Sequence, residues 1–163
     1  MCSSDLDRVA RYLTSYPDSA LGFALIGRLW MTTKDWKQAE DAFKKSLAID
    51  NGVLDAYMNL GQIYSQNAKL DEAMAEYNGA LAKNPKYVPA HMMLGVLYET
   101  KNEIEKAQRS YETVLRLSPK FSPAANNLAW LLIEHNGNSD LALSYAQTAR
   151  EQQPSDPHVA DTL

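Results

Sequence analysis

Apolar and polar positions alternate along this chain at helical spacing, in blocks of about a dozen residues. Within 55–64 the apolar or small positions are Tyr57, Leu60, Gly61 and Tyr64. Over 70–81 they are Leu70, Ala73, Met74, Tyr77 and Leu81. Steps of three and four predict an amphipathic helix in each block. Asn67-Ala68-Lys69 forms the polar connection between them, and Lys101-Asn102-Glu103 forms its counterpart further on. Connections this short require the paired helices to lie antiparallel. Pro85 and Pro119 are placed to end the second helix of a pair, because proline has no amide hydrogen to continue it.

The pattern repeats every 34 residues. Gly27, Gly61, Gly95 and Ala129 are one step apart, as are Ala39, Ala73 and Ala107, and Phe43, Tyr77 and Tyr111. Pro17, Pro85 and Pro119 share the frame, with Asn51 standing where a further proline would fall. Phe23, Tyr57 and His91 precede the small residue by four places, and Trp30, Tyr64 and Tyr98 follow it by three. Small residues let two backbones approach. Gly61 is therefore expected to face Ala73 and Ala80, with Tyr64 and Tyr77 filling the space alongside. Tyr57, Tyr64, Tyr77, Tyr98 and Tyr111 are expected in the core with their hydroxyls at its edge.

These residues resemble the tetratricopeptide repeat, whose aromatic, Leu-Gly, Tyr, Ala, aromatic and Pro positions are met almost completely by 54–87 and 88–121. Segment 20–53 fits but departs at Ser46 and Asn51. Segment 122–156 keeps Leu128, Ala129, Ala142, Ala149 and Pro154, loses its aromatics, and gains one residue, placed by Asn136-Gly137-Asn138-Ser139-Asp140 in the turn. Residues 5–19, through Leu6, Val9, Ala10 and Leu13, read as the second helix of a truncated repeat. Residues 157–163 read as the start of another, so the parent protein is expected to continue at both ends. The resemblance implies an all-α, right-handed α-solenoid of antiparallel helix pairs. A narrower resemblance, carried by Asn126 to Leu132 and Val159 to Leu163, is to bacterial repeat proteins of exopolysaccharide and surface-protein sorting systems.

By resemblance, the first helix of each unit lines a concave groove that holds a peptide or helix of a partner protein. The family's lining places select Leu21, Ala24, Arg28 and Met31; Asp55, Met58, Gln62 and Ser65; Pro89, Met92, Val96 and Glu99; and Pro123, Asn126, Trp130 and Ile133. From these, with the adjacent Asn59, the candidate groove residues are Arg28, Met58, Asn59, Gln62, Met92, Val96, Asn126 and Trp130. Methionine adapts to irregular apolar surfaces, and Asn or Gln bonds a peptide backbone without demanding charge. Family members that grip a chaperone's terminal carboxylate use Lys or Arg with Asn. Here Asn59 occupies one such place, but Ala24, Met92 and Met93 stand where cations are needed, which disfavours that ligand. Met58, Met92, Met93 and Trp130 also have a plain packing reading, preferred for Trp130 over a binding role.

Composition narrows the rest. The 163 residues carry 16 Lys and Arg against 20 Asp and Glu, a net charge of −4, and 45% are apolar, enough for a core. No basic stripe suits nucleic acid. No apolar run is long enough to cross a bilayer, and the N-terminus lacks the layout of a secretion signal, so no direct membrane insertion is expected. A soluble segment, cytoplasmic or periplasmic, is the reading. Cys2 cannot form an intrachain disulfide, and its Met1-Cys2-Ser3-Ser4 setting offers no lipid anchor. His91, His135 and His158 lack metal-pair spacing. The carboxylates at 71–72 and 103–105 suit helix starts rather than acid–base chemistry. No nucleophile motif or phosphate loop is present. Neither catalysis, nor a metal, nor a cofactor is expected. Three functions are consistent with this: a non-catalytic protein-binding scaffold, a spacer self-associating through exposed end repeats, and the targeting module of a larger enzyme.

Overall fold

The computed structural model describes residues 3–135 and 137–152, with side chains described over 7–151 except 136. Segment 157–163, Met1, Cys2, Asn136 and the Leu6 side chain lie outside that set. The described residues form nine α-helices and no strand: α1 Ser3–Ser15, α2 Ala20–Thr32, α3 Trp36–Ile49, α4 Leu54–Gln66, α5 Leu70–Lys83, α6 Val88–Thr100, α7 Ile104–Leu117, α8 Ser122–Glu134 and α9 Ser139–Gln152. The architecture is an all-α helical repeat of the solenoid class. The chain falls into two compact units, Met1–Pro85 with α1 to α5 and Lys86–Leu163 with α6 to α9.

Helix ends follow local chemistry. Ser19 Oγ accepts from the Gly22 amide at 3.1 Å, and Asp35 Oδ1 accepts from Gln38 at 3.2 Å, each satisfying an amide that the first turn leaves unpaired. The inserted residue of the last repeat is absorbed before α9, where Asn138 Oδ1 accepts from the Leu141 amide at 3.0 Å. Pro89 and Pro123 open α6 and α8, at positions where a missing amide hydrogen costs nothing. Asp71 and Glu72 lie in the first turn of α5 and Glu105 in that of α7, where negative charge complements the helix dipole.

The tight connections use one device. Lys34, Ala68 and Asn102 all take positive φ, at 61°, 57° and 58°. The amide after each reaches back five residues: Asp35 to the Trp30 carbonyl at 3.0 Å, Lys69 to Tyr64 at 2.9 Å, and Glu103 to Tyr98 at 2.8 Å. Gly137 closes the same ring to Leu132 at 2.7 Å. This left-handed cap reverses the chain within three residues.

In the first unit α2 pairs with α3 and α4 with α5, while α1 packs on α2 and α3 on α4. Phe43, Tyr77, Leu60 and Ile63 are fully buried there. Val9 of α1 is buried, whereas Ala10 is exposed. In the second unit α6 pairs with α7 and α8 with α9, with α7 also on α8. Tyr111, Val114, Leu128 and Leu131 form the centre of its core.

Gly27, Gly61 and Gly95 face rings, not alanines. A β-carbon on Gly61 would lie 2.7 Å from Tyr77 Cζ, one on Gly95 2.5 Å from Tyr111 Cε1, and one on Gly27 2.8 Å from Phe43 Cε1. The aromatic residue of the second helix thus lies directly against the small residue of the first. Nor are all the hydroxyls at the edge of the core. Tyr77 and Tyr111 are entirely buried. Polar ties appear at two equivalent registers in opposite senses. Ser46 Oγ donates to the Ala20 carbonyl at 2.7 Å, and Ser122 Oγ donates to the Ala149 carbonyl at 3.1 Å.

Candidate functional site

Arg28 projects from α2 and is exposed, as is Gln62 on α4. Met58 and Asn59, one turn before Gln62, are half-buried, and Asn59 Nδ2 donates to the Asp55 carbonyl at 2.6 Å. The structure thus brings Met58, Asn59 and Gln62 together on one helix of the first unit. In the second unit Met92 and Val96 stand one turn apart on α6, half-buried against the cluster that includes Leu128 and Leu131 of α8. Asn126 and Trp130 stand one turn apart on α8. Asn126 is half-buried, whereas Trp130 is 43% exposed and Ile133, a turn further on, is 50% exposed. The opposite side of α8 is committed to the core through Leu128, Leu131 and Leu132. Trp130 therefore presents an aromatic surface that the described fold does not cover.

Glu99, one of the lining places of α6, is already engaged. It accepts from the Tyr111 hydroxyl at 2.8 Å, and Asn127 Nδ2 donates to the same hydroxyl at 3.3 Å. Burial, followed by the bond to Glu99, pushes the Tyr111 phenol well above its ordinary range. Tyr77 at the equivalent register has a buried hydroxyl without a full hydrogen bond, and the neighbouring Ser65 Oγ donates instead to the Gly61 carbonyl at 2.9 Å. The first unit carries a charged cluster on α3 to α5. Glu40 accepts from Lys44 at 2.6 Å and from the Tyr64 hydroxyl at 2.9 Å. The bond from Lys44 holds the Glu40 carboxyl below the usual range, while burial pushes Glu76 above it against the opposing pull of Lys44.

Nothing in this set assembles a metal site: among the described residues no group of three His, Cys, Asp or Glu converges. His91 lies half-buried on α6 and His135 follows the end of α8; His158 is outside the described residues. No described helix is long and apolar enough to cross a membrane. What the lining places did not reveal is Leu25. It is exposed on α2 between the more accessible Leu21 and the half-buried Leu29. The available signal was the four-residue spacing of three leucines.

Comparison with known proteins agrees with this architecture. Two family models described as tetratricopeptide repeat match residues 31–94 and 92–157. A 52-residue stretch, 32% of this chain, is 44% identical to Superkiller complex protein 3 of Mus musculus, and it spans only 3% of that relative's length. Among solved structures, MamA superposes with a TM-score of 0.79 at 24% identity, over 91% of this chain and 86% of that one. The first TPR of Spaghetti (RPAP3), bound to HSP90 peptide SRMEEVD, superposes with a TM-score of 0.68 at 24% identity, over 73% of this chain and 94% of the other.

Proposed function

Since this chain belongs to the tetratricopeptide repeat family, we propose that it is a non-catalytic protein-interaction scaffold whose inner helices bind a peptide or helix of a partner. The observation that carries this reading is the exposed Trp130–Ile133 face of α8. A partly exposed indole on a helix whose opposite side is committed to the core is the kind of anchor that dominates protein interfaces. Asn126 on α8 and Met92 and Val96 on α6 supply adaptable apolar and amide contacts beside it in the second unit, and Arg28, Met58, Asn59 and Gln62 offer cationic, apolar and amide groups on the first unit. The HSP90 peptide of the structural neighbour is not extended to this chain. Ala24, Met92 and Met93 are all uncharged, so the cations that a carboxylate grip needs are missing from those places.

Affinity capture with the whole chain, followed by identification of the bound protein and direct titration, tests the reading. Trp130→Ala and Met92→Glu are expected to weaken binding at least about tenfold, or about 1.4 kcal/mol, with an unchanged helical circular-dichroism spectrum. Binding indifferent to both substitutions would overturn it. A second reading, self-association through the end helices, is favoured by the exposed Leu141 and Leu143 of α9. It predicts a mass that rises with concentration in light scattering, and a monomer at high concentration removes it.

A further inference from the structure

In the second unit the two helices of each pair differ in charge. The first helices, α6 and α8, carry Glu99 and Glu134 and neither lysine nor arginine. The second helices, α7 and α9, carry Lys106, Arg109, Arg116 and Arg150. Lys101, in the connection after α6, stands 4.0 Å from Glu103. Among the described residues Glu99 forms no ion pair.

Glu99 is nonetheless held in place. The Tyr111 hydroxyl donates to its Oε2 at 2.8 Å and accepts from Asn127 Nδ2 at 3.3 Å, so that α6, α7 and α8 each supply one member of the set. The hydroxyl takes only one of the roughly four lone-pair sites of a carboxylate. Nor does the repeat require a charge there. One 34-residue step back, Ser65 stands in the place of Glu99, and the buried Tyr77 hydroxyl goes without a full hydrogen bond. A half-buried carboxylate that is oriented but not neutralised is a receptor for a cation.

Trp130 adds a second element. It is three residues beyond Asn127 on α8, and residues so spaced are neighbours on one face. A helical side chain covers the turn before its own Cα, which here is the turn of Asn126 and Asn127. The seat of a following repeat does not account for the 43% exposure of the indole. Three steps earlier the register of Trp130 holds Arg28, which stays exposed although α4 follows and packs on α2 and α3. An accessible indole attracts a cation to its face, and a guanidinium also stacks on it.

We propose that Glu99, oriented by Tyr111 and Asn127 and flanked by Trp130, receives a lysine or arginine side chain of the bound partner segment, whose N–H groups donate to the carboxylate while its charge rests against the indole. This rests on the scaffold reading and deepens it by giving the partner a cation. The chain's net charge of −4 favours the approach of such a segment at longer range.

Selection from a random-peptide phage library on the whole chain, followed by calorimetric titration of the selected peptides, tests it. Those peptides are expected to share an arginine or lysine at one position. Replacing that residue by citrulline, which keeps the shape of arginine and removes its charge, should weaken binding at least about tenfold. Glu99→Gln leaves an acceptor for the Tyr111 hydroxyl, so the helical spectrum should not change. It should weaken the cationic peptide by a similar factor and leave the citrulline peptide unaffected, since the two changes remove the same contact. Selection of no peptide, selection without a shared cation, or an effect of citrulline that Glu99→Gln leaves undiminished would each overturn the proposal. If binding depends on Trp130 but not on Glu99, only this inference falls and the scaffold reading stands; binding indifferent to both removes the two together.

Discussion

The Tyr111 hydroxyl donates to Glu99 Oε2 at 2.8 Å inside the second unit, at the register where Tyr77 buries the same group in the first unit without a full partner. A buried hydroxyl without a hydrogen bond costs about 1–3 kcal/mol, whereas one bonded to a carboxylate contributes about 1.5–3 kcal/mol. The same substitution should therefore act with opposite signs. Tyr77→Phe is expected to stabilise the chain by about 1 kcal/mol, and Tyr111→Phe to destabilise it by about 1.5 kcal/mol. Urea unfolding of the two variants beside the wild type checks this. Equal shifts in one direction would show that the two hydroxyls are in like environments.

Gly61 sets a conflict between local and tertiary preference. Alanine improves helix propensity by about 1 kcal/mol. Its β-carbon, however, would press into the Tyr77 ring, which is fully buried. Overpacking of this kind costs about 1–3 kcal/mol. Gly61→Ala should thus lower the unfolding midpoint, and Gly61→Ala combined with Tyr77→Leu should recover part of the loss. A double mutant no better than the single one would locate the strain elsewhere.

Ala68 adopts φ of 57° in the connection between α4 and α5. A side chain without a local hydrogen-bonding group is disfavoured in that conformation, while asparagine, present at the equivalent Asn102, tolerates it. Ala68→Asn is expected to raise stability by about 0.5–1 kcal/mol. Thermal unfolding by calorimetry measures it, and a decrease would show that the alanine methyl makes a packing contribution larger than the backbone strain.

Glu76 carries a pH dependence of definite sign. Burial raises its carboxyl pKa in the folded chain, with Lys44 pulling the other way and Glu40 adding to the rise. Between the unfolded value, about 4.3, and the raised folded value, the native state holds more protons than the unfolded one. Stability from this group therefore falls as pH rises through that window. Glu76→Gln should melt at a higher temperature than wild type at pH 7.5, with the advantage shrinking toward pH 4. An advantage that grows on acidification would reverse the assignment.

The helices and their pairing were legible in the residue pattern because they depend on local quantities. Spacing of apolar residues along 55–64 and 70–81, the three-residue polar connections, and the prolines after α5 and α7 each act within a few residues. The observed ends of α4, α5, α6 and α7 fall at those signals. The left-handed caps were harder to see, because Lys34, Ala68 and Asn102 occupy a conformation usually signalled by glycine. At the candidate site, the four-residue spacing placed Met92 with Val96 and Asn126 with Trp130 on shared faces, and only the packed structure gave each its exposure.

The amino-acid sequence by itself determined a chain of antiparallel helix pairs repeating every 34 residues, since periodicity alone dictates which face of each helix is apolar. Tertiary packing decided what those faces meet. It put the ring of Tyr77, rather than the methyls of Ala73 and Ala80, against Gly61; it left Tyr77 without the partner that Tyr111 has in Glu99; and it kept Trp130 and Leu25 in solvent. A helical wheel fixes a side chain's direction from its own axis, but not the rotation and offset of the helix opposite. Those are set by how whole side chains interlock at crystal-like density.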